Sequence, residues 1–349
     1  MTITYGPSNM SKEQLSKYAV MDEELAEARK SALRLVFLKQ HQVPKADWSN
    51  VAAFREKRSQ LEVERLKQQG PPGPGIEEEF KSIEMRDGFQ SRIKIHKPTS
   101  GGGPLIVLVF GGGFIVGNEE QLTPLGRALA KAFGAITVTV SYRLAPEHKF
   151  PTAAHDVEDS LIWIAEHAKD LGADPSIGFL LGGVSAGGVW LCVPWIFPLE
   201  ENHVPAEYKE LFISRDEMVD VPVLDKDALT AINAYLSPDE SSPLMSPFNS
   251  KTPHKGMPPT CVQVAGLDPL RDDGLIYERV LRDYGVKTKL NVWPGVPHAH
   301  FAFFPFLGAG KKAMVDIIMG FNWLLGSALN PERICESLSS ELDSGAMGA

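Results

Sequence analysis

The chain has 349 residues, and its 35 Lys and Arg against 44 Asp and Glu give a formal net charge of −9. With 43% hydrophobic and 23% charged residues it has the balance of a globular protein that buries a core without disulfide or metal staples. The acidic balance excludes a phosphate-backbone partner, and three scattered cysteines (Cys192, Cys261 and Cys335) exclude a disulfide framework. The amino terminus lacks the basic and apolar regions of a secretory signal, and the longest apolar run, Leu105 to Phe110, stops at Gly111-Gly112-Gly113. These features point to a cytoplasmic chain with no membrane span.

In chain order, the spacing of Leu15, Tyr18, Ala19, Leu25, Leu33, Val36 and Phe37 predicts helix from about Lys12 to Lys39. A second helix follows from about Trp48 to Gln68, capped by Asp47 or Ser49. The run Gly70-Pro71-Pro72-Gly73-Pro74-Gly75 suits neither helix nor central strand and marks a connector. Beyond it strands and helices alternate. Strands are expected at Ile83–Met85, Arg92–His96, Leu105–Phe110, Ala135–Val140, Ile177–Leu181, Cys261–Ala265 and Lys289–Trp293. Helices are expected at about Glu119–Phe133, Asp156–Lys169, Leu275–Tyr284 and Lys311–Leu325. Alternation implies parallel pairing, right-handed crossovers and a ligand crevice at the strands' carboxyl ends. The Pro-rich stretch between Pro194 and Pro259 is too long for a simple loop and reads as an insertion with its own helices.

Gly183-Val184-Ser185-Ala186-Gly187 directly follows an expected strand. Small residues there permit a tight strand-to-helix turn that presents Ser185 Oγ and leaves the Ala186 N–H free at a helix start. A serine hydroxyl needs a base, and the base needs an orienting acid. Asp268, just past the strand Cys261–Ala265, is the acid candidate; the alternative is a turn or capping role before Pro269. His298, after the strand Lys289–Trp293, is the base candidate, with His300 as competitor. His298 and His300 could share a face as a metal pair, but no third ligand is suitably spaced. Packing beside Phe301, Phe303 and Phe304 is the other reading of His300. Phe110-Gly111-Gly112-Gly113-Phe114 ends another buried strand, and its glycine N–H groups could join the Ala186 N–H in holding an oxyanion. Phe114, Val184 and Trp190, with Trp195, are candidate substrate contacts or core residues.

These motifs resemble the hormone-sensitive-lipase-like branch of the α/β-hydrolases, which are serine carboxylesterases. The resemblance runs from about Phe80 to Leu325. It rests on Phe110–Gly117, Tyr142-Arg143-Leu144-Ala145-Pro146-Glu147-His148 and Gly183–Gly188, then on Ser242–Pro247, Asp268–Asp272 and Pro294–His298. It implies an α/β-hydrolase fold, a mostly parallel central sheet flanked by helices with a helical cap. Residues 71–193 and 260–330 would form the core, 1–70 and 194–259 the cap, and 331–349 a frayed tail. It also implies Ser185, Asp268 and His298 as nucleophile, acid and base, favouring His298 over His300, and Gly112, Gly113 and Ala186 as oxyanion donors.

The general layout is similar to that of fungal secondary-metabolism esterases. The implied partner is a small-molecule ester, with no cofactor, metal or nucleic acid; a homodimer is left open. Phe110 stands where the family usually has His, which calls the loop's anchoring hydrogen bond into question. Val184 replaces the usual Asp, and Val189-Trp190 follow Gly188 where Asn is usual. These departures suggest a specialised substrate or a shifted reaction: a thioesterase, a lactonase, or a non-hydrolytic cyclase or dehydratase. A ligand receptor is the third class; receptors on this fold tend to lose part of the triad, and all three residues are present here.

Overall fold

The apolar runs pair into one sheet. A computed structural model describes residues 3–4, 11–30, 50–199, 203–332, 334, 335 and 338. The strands are β1 (Ile3–Thr4), β2 (Ile76–Glu84), β3 (Gln90–Pro98), β4 (Leu105–Val109), β5 (Ile136–Val140), β6 (Phe179–Val184), β7 (Trp190–Cys192), β8 (Thr260–Leu267) and β9 (Thr288–Pro297). Their spatial order is β1-β9-β8-β7-β6-β4-β5-β3-β2. The pairings from β5 through β4, β6, β7 and β8 to β9 are parallel, while β1, β2 and β3 join antiparallel. Strands β4 and β5 are buried at every position, as a sheet covered on both faces requires. Edge strand β2 reads Ile-Glu-Glu-Glu-Phe-Lys-Ser-Ile-Glu, whose charges discourage edge pairing and hide most of its length from hydropathy.

The amino-terminal helices are α1 (Lys12–Tyr18), α2 (Glu23–Lys30) and α3 (Val51–Gln69). Leu33, Val36, Phe37 and the expected caps Asp47 and Ser49 lie outside the described residues. Asn50 caps α3, its side chain accepting from the Ala53 N–H at 3.1 Å. The sheet is flanked by α4 (Thr123–Phe133), α5 (Thr152–Glu166), α8 (Arg271–Asp283) and α10 (Gly308–Leu324). The stretch after Pro194 carries α6 (Ser214–Glu217) and α7 (Lys226–Leu236), and α9 (His300–Phe303) follows β9. The start of α8 lies four residues before the expected Leu275, because its polar first turn is buried as an anchor. Asp272 accepts the N–H groups of Ile213 and Ser214, and Asp273 accepts those of Ile196 and Phe197 while pairing Arg215. Buried carboxylates with this many donors stitch the inserted segment to the core.

One expectation fails between β6 and β7: no helix follows Ser185. Residues 185–189 alone connect two parallel strands, with Gly182 beside Trp190 and Val184 beside Cys192. A parallel crossover ordinarily takes a dozen residues and a helix. Here the Ser185 N–H bonds the Cys192 carbonyl and the Val189 N–H bonds the Leu181 carbonyl, so the chain coils back on itself. Burial at the start of β6 is asymmetric. Leu180 faces the side that carries Trp190 and Phe321 of α10, and is 9% exposed. Its neighbour Phe179 points to the other side and is 43% exposed. Phe179→Ser should therefore change unfolding free energy by no more than about 0.5 kcal/mol, and Leu180→Ala should cost about 2–5 kcal/mol, in chemical denaturation. Equal losses at the two positions would mean that the start of β6 is covered on both of its faces.

Candidate active site

The carboxyl ends of β4, β6, β8 and β9 converge on one point. β6 delivers Ser185 in the left-handed region, φ 54°, a strained conformation for a non-glycine residue. The room around it comes from particular glycines. A Cβ at Gly183 would lie 2.6 Å from the Ala186 Cβ, and one at Gly188, φ 145°, would lie 2.5 Å from the Leu181 carbonyl oxygen. A Cβ at Gly187 would meet nothing within 4 Å, so the tight approach is at Gly188 instead.

Ser185 Oγ is 2.6 Å from His298 Nε2, and His298 Nδ1 is 2.7 Å from Asp268 Oδ2. Asp268 is fully buried, and its Oδ1 accepts the Leu270 N–H at 2.9 Å. A carboxylate in that position accepts the Nδ1–H, which leaves Nε2 as the acceptor facing the hydroxyl. His300 stands outside this chain of bonds. It is 1% exposed, edge-on to Trp293 at 5.1 Å and to Phe301 at 6.1 Å. Burial pushes its pKa down to about 3. Among the other histidines, His96 is buried against Glu78, and His167 stacks on Trp163. No group of three potential ligands is placed to hold a metal among the described residues.

The glycine loop after β4 is shaped by close approaches. A Cβ at Gly111 would lie 2.7 Å from the Val184 carbonyl oxygen, one at Gly112 would overlap the Val116 carbonyl, and one at Gly113 would lie 2.8 Å from Ile232 Cδ1. The N–H groups of Gly112, Gly113 and Ala186 have no acceptor among the described residues. Phe110 is held without a ring hydrogen bond. Its ring stacks on Tyr142 at 4.1 Å and 6°, and the Tyr142 hydroxyl donates to the Phe110 carbonyl at 3.0 Å. From above, Arg55 of α3 donates to the carbonyls of Ile115 and Ala145 and pairs with Glu147. One guanidinium thus ties the amino-terminal helix to the glycine loop, a contact that sequence periodicity alone does not single out.

Ser185 and His298 open onto a cavity of about 610 Å³. Val184, Trp195, Leu229, Ile232 and Phe303 give it apolar walls. Of the candidate substrate contacts only Val184 and Trp195 reach it. Phe114 packs between Tyr142 and Trp195, with ring distances of 6.2 and 6.5 Å. Trp190 is fully buried in the core, its Nε1 donating to Gln263 Oε1 at 2.7 Å. The strand pleat turns Trp190 from the pocket: it lies five residues past the serine but on β7, facing α10.

Residues 106–302 match a family model described as alpha/beta hydrolase fold. An AB hydrolase superfamily protein of Schizosaccharomyces pombe is 34% identical over 70% of this chain and 78% of its own length. The versiconal hemiacetal acetate esterase of Dothistroma septosporum is 29% identical over 71% of this chain and 81% of its own. Among solved structures, that of vibralactone cyclase superposes with a TM-score of 0.78 at 26% identity, covering 89% of this chain and 96% of that one.

The burial of His300 carries a pH signature. Its folded pKa lies below its unfolded value of 6.5, so only the unfolded chain gains this proton as pH falls. The stability is present above pH 6.5 and is lost as acid is added. His300→Phe should remove about 2 kcal/mol of the stability difference between pH 7 and pH 5, read from denaturation midpoints at the two pH values. An unchanged slope would mean that His300 is not the group responsible.

Proposed function

The chain belongs to the α/β-hydrolase fold family, in its hormone-sensitive-lipase-like branch, and on that basis we infer that it is a serine carboxylesterase for small or medium acyl esters. Ser185 Oγ attacks the ester carbonyl while His298 Nε2 takes its proton, and Asp268 holds the resulting imidazolium. The N–H groups of Gly112, Gly113 and Ala186 receive the oxyanion; losing one such donor costs roughly 2.7–4 kcal/mol of transition-state stabilisation. His298 returns the proton to the departing alcohol, and then activates the water that releases the acid from Ser185. The observation that carries this reading is the unbroken Ser185–His298–Asp268 hydrogen-bond chain at the mouth of an apolar cavity.

In this reading, residues 71–193 and 260–330 are the catalytic core. Residues 1–70 and 194–259 form the cap, supported by the bonds of Arg55 to the glycine loop and by the cavity-lining residues of α7. The versiconal hemiacetal acetate esterase supports an acyl ester of secondary metabolism as substrate class. The protein works in the cytoplasm without a nucleic-acid partner, in keeping with its −9 charge; no helix among the described residues is long and apolar enough to cross a membrane. A second reading, cyclisation in place of hydrolysis, is favoured by the likeness to vibralactone cyclase. That reading uses His298 and the oxyanion donors without acylating Ser185, and only hydrolysis adds water to the acyl group.

An acyl-chain series of p-nitrophenyl esters run in ¹⁸O-water tests these points together. Wild type should release acid carrying ¹⁸O, and Ser185→Ala should lose at least ~10³-fold in kcat. Full turnover by Ser185→Ala would sink the covalent mechanism, and a hydroxyacyl member of the series released as a lactone free of ¹⁸O, its own hydroxyl displacing p-nitrophenolate, would select cyclisation.

A further inference from the structure

Helical spacing sets Arg55, Arg58, Glu62 and Arg65 along one side of α3, and the first three line the cavity. Three of these four have partners. Arg55 holds Ile115, Ala145 and Glu147, while Glu62 pairs with Arg65, which also donates to the Gln121 carbonyl at 3.0 Å. Arg58 differs. Its guanidinium lies 4.9 Å over the Phe303 ring, in the wall of the cavity that holds Ser185 and His298. It has no hydrogen bond and no ion pair to any described residue.

Desolvation pushes the Arg58 pKa down; the Glu62 charge one turn away opposes this, and Arg65 adds to it. The other carboxylates around the cavity do not supply the missing partner. Asp225 accepts the Ala228 N–H at 2.8 Å as the cap of α7, and Asp220 and Asp227 are exposed at the rim. An aromatic face satisfies none of the five N–H donors of the Arg58 guanidinium, and the guanidinium lies in the cavity wall. A planar fork of donors matches a carboxylate in two parallel bonds.

We propose that the pocket selects esters that carry a free carboxylate, and that Arg58 is the residue that binds it. This rests on the ester-hydrolase reading and narrows its substrate class. Arg58 is then a specificity residue that holds the substrate away from the scissile bond. The carboxylate could sit on the acyl or on the alcohol portion, and paired substrates separate the two. The p-nitrophenyl hemiester of glutaric acid against p-nitrophenyl butyrate tests the acyl side. 4-Acetoxybenzoate against phenyl acetate tests the alcohol side.

For wild type, kcat/KM should favour the charged member of at least one pair by about tenfold or more over its neutral mate. In Arg58→Gln that ratio should fall to about one, and Arg58→Lys should restore part of it, since a single ammonium keeps the charge but not the fork. The ratio is internal to each variant, so a general loss of folded protein cancels. Wild type showing no preference in either pair, or Arg58→Gln keeping the preference, overturns the proposal while turnover of the neutral esters leaves the esterase reading standing. If no ester is turned over, the esterase reading fails and calorimetry decides this one. Glutarate or 4-hydroxybenzoate should bind wild type and lose at least tenfold in affinity in Arg58→Gln, and equal binding, or none to wild type, counts against Arg58.

Discussion

The imidazole of His298 is suspended between a buried carboxylate and a strained serine, and the rest of the site depends on that suspension. Asp268 is fully buried and would be costly there without donors. The Leu270 N–H and His298 Nδ1 supply them at 2.9 and 2.7 Å. Adjacent parallel strands set the spacing, since β8 ends just before Asp268 and β9 just before His298, with a register shift between Ala265 and Leu267. A sheet with helices on its faces keeps its strand ends free for this purpose. The same burial that encloses the Asp268–His298 hydrogen bond makes the neighbouring His300 a neutral packing residue between two aromatic rings.

The surrounding parts are held by unusual means. A five-residue coil, 185–189, takes the place of a crossover helix, and a close approach at Gly188 makes it fit. The alignment of the Ala186 N–H therefore comes from strand-to-strand hydrogen bonds on either side of it rather than from a helix terminus. At the glycine loop, a stacked pair, Phe110 on Tyr142, takes the place of a polar anchor. That arrangement satisfies the loop with one hydroxyl-to-carbonyl bond and an apolar contact, leaving the glycine N–H groups unspent. Arg55 closes the loop from the cap side, so a movement of α3 would reach the candidate oxyanion donors directly.

Much of this was legible in the sequence, and the exceptions have physical reasons. Strands β4 and β5 stand out because burial on both faces makes them continuously apolar. The glycine loop, Ser185, Asp268 and His298 each sit where a strand gives way to a polar or glycine-rich turn, so their convergence follows from parallel topology alone. β7 is not legible because three residues after a glycine run carry no period. The expected helix after Ser185 failed because strand-turn-helix grammar assumes a crossover that the chain does not have. Trp190 looked like a pocket residue from its nearness to Ser185, and the pleat turned it into the core. Arg55 and Arg58 were invisible as site residues, since helical spacing shows that they share a face but not what that face meets.

The central claim is that Ser185, activated by His298, forms a covalent acyl-enzyme. Peptide mass mapping after reaction with a fluorophosphonate probe addresses it without knowledge of the natural substrate. The expected result is one phosphonate adduct, located on Ser185 and greatly slowed in His298→Ala. Folded protein that leaves Ser185 unlabelled at saturating probe would contradict the account.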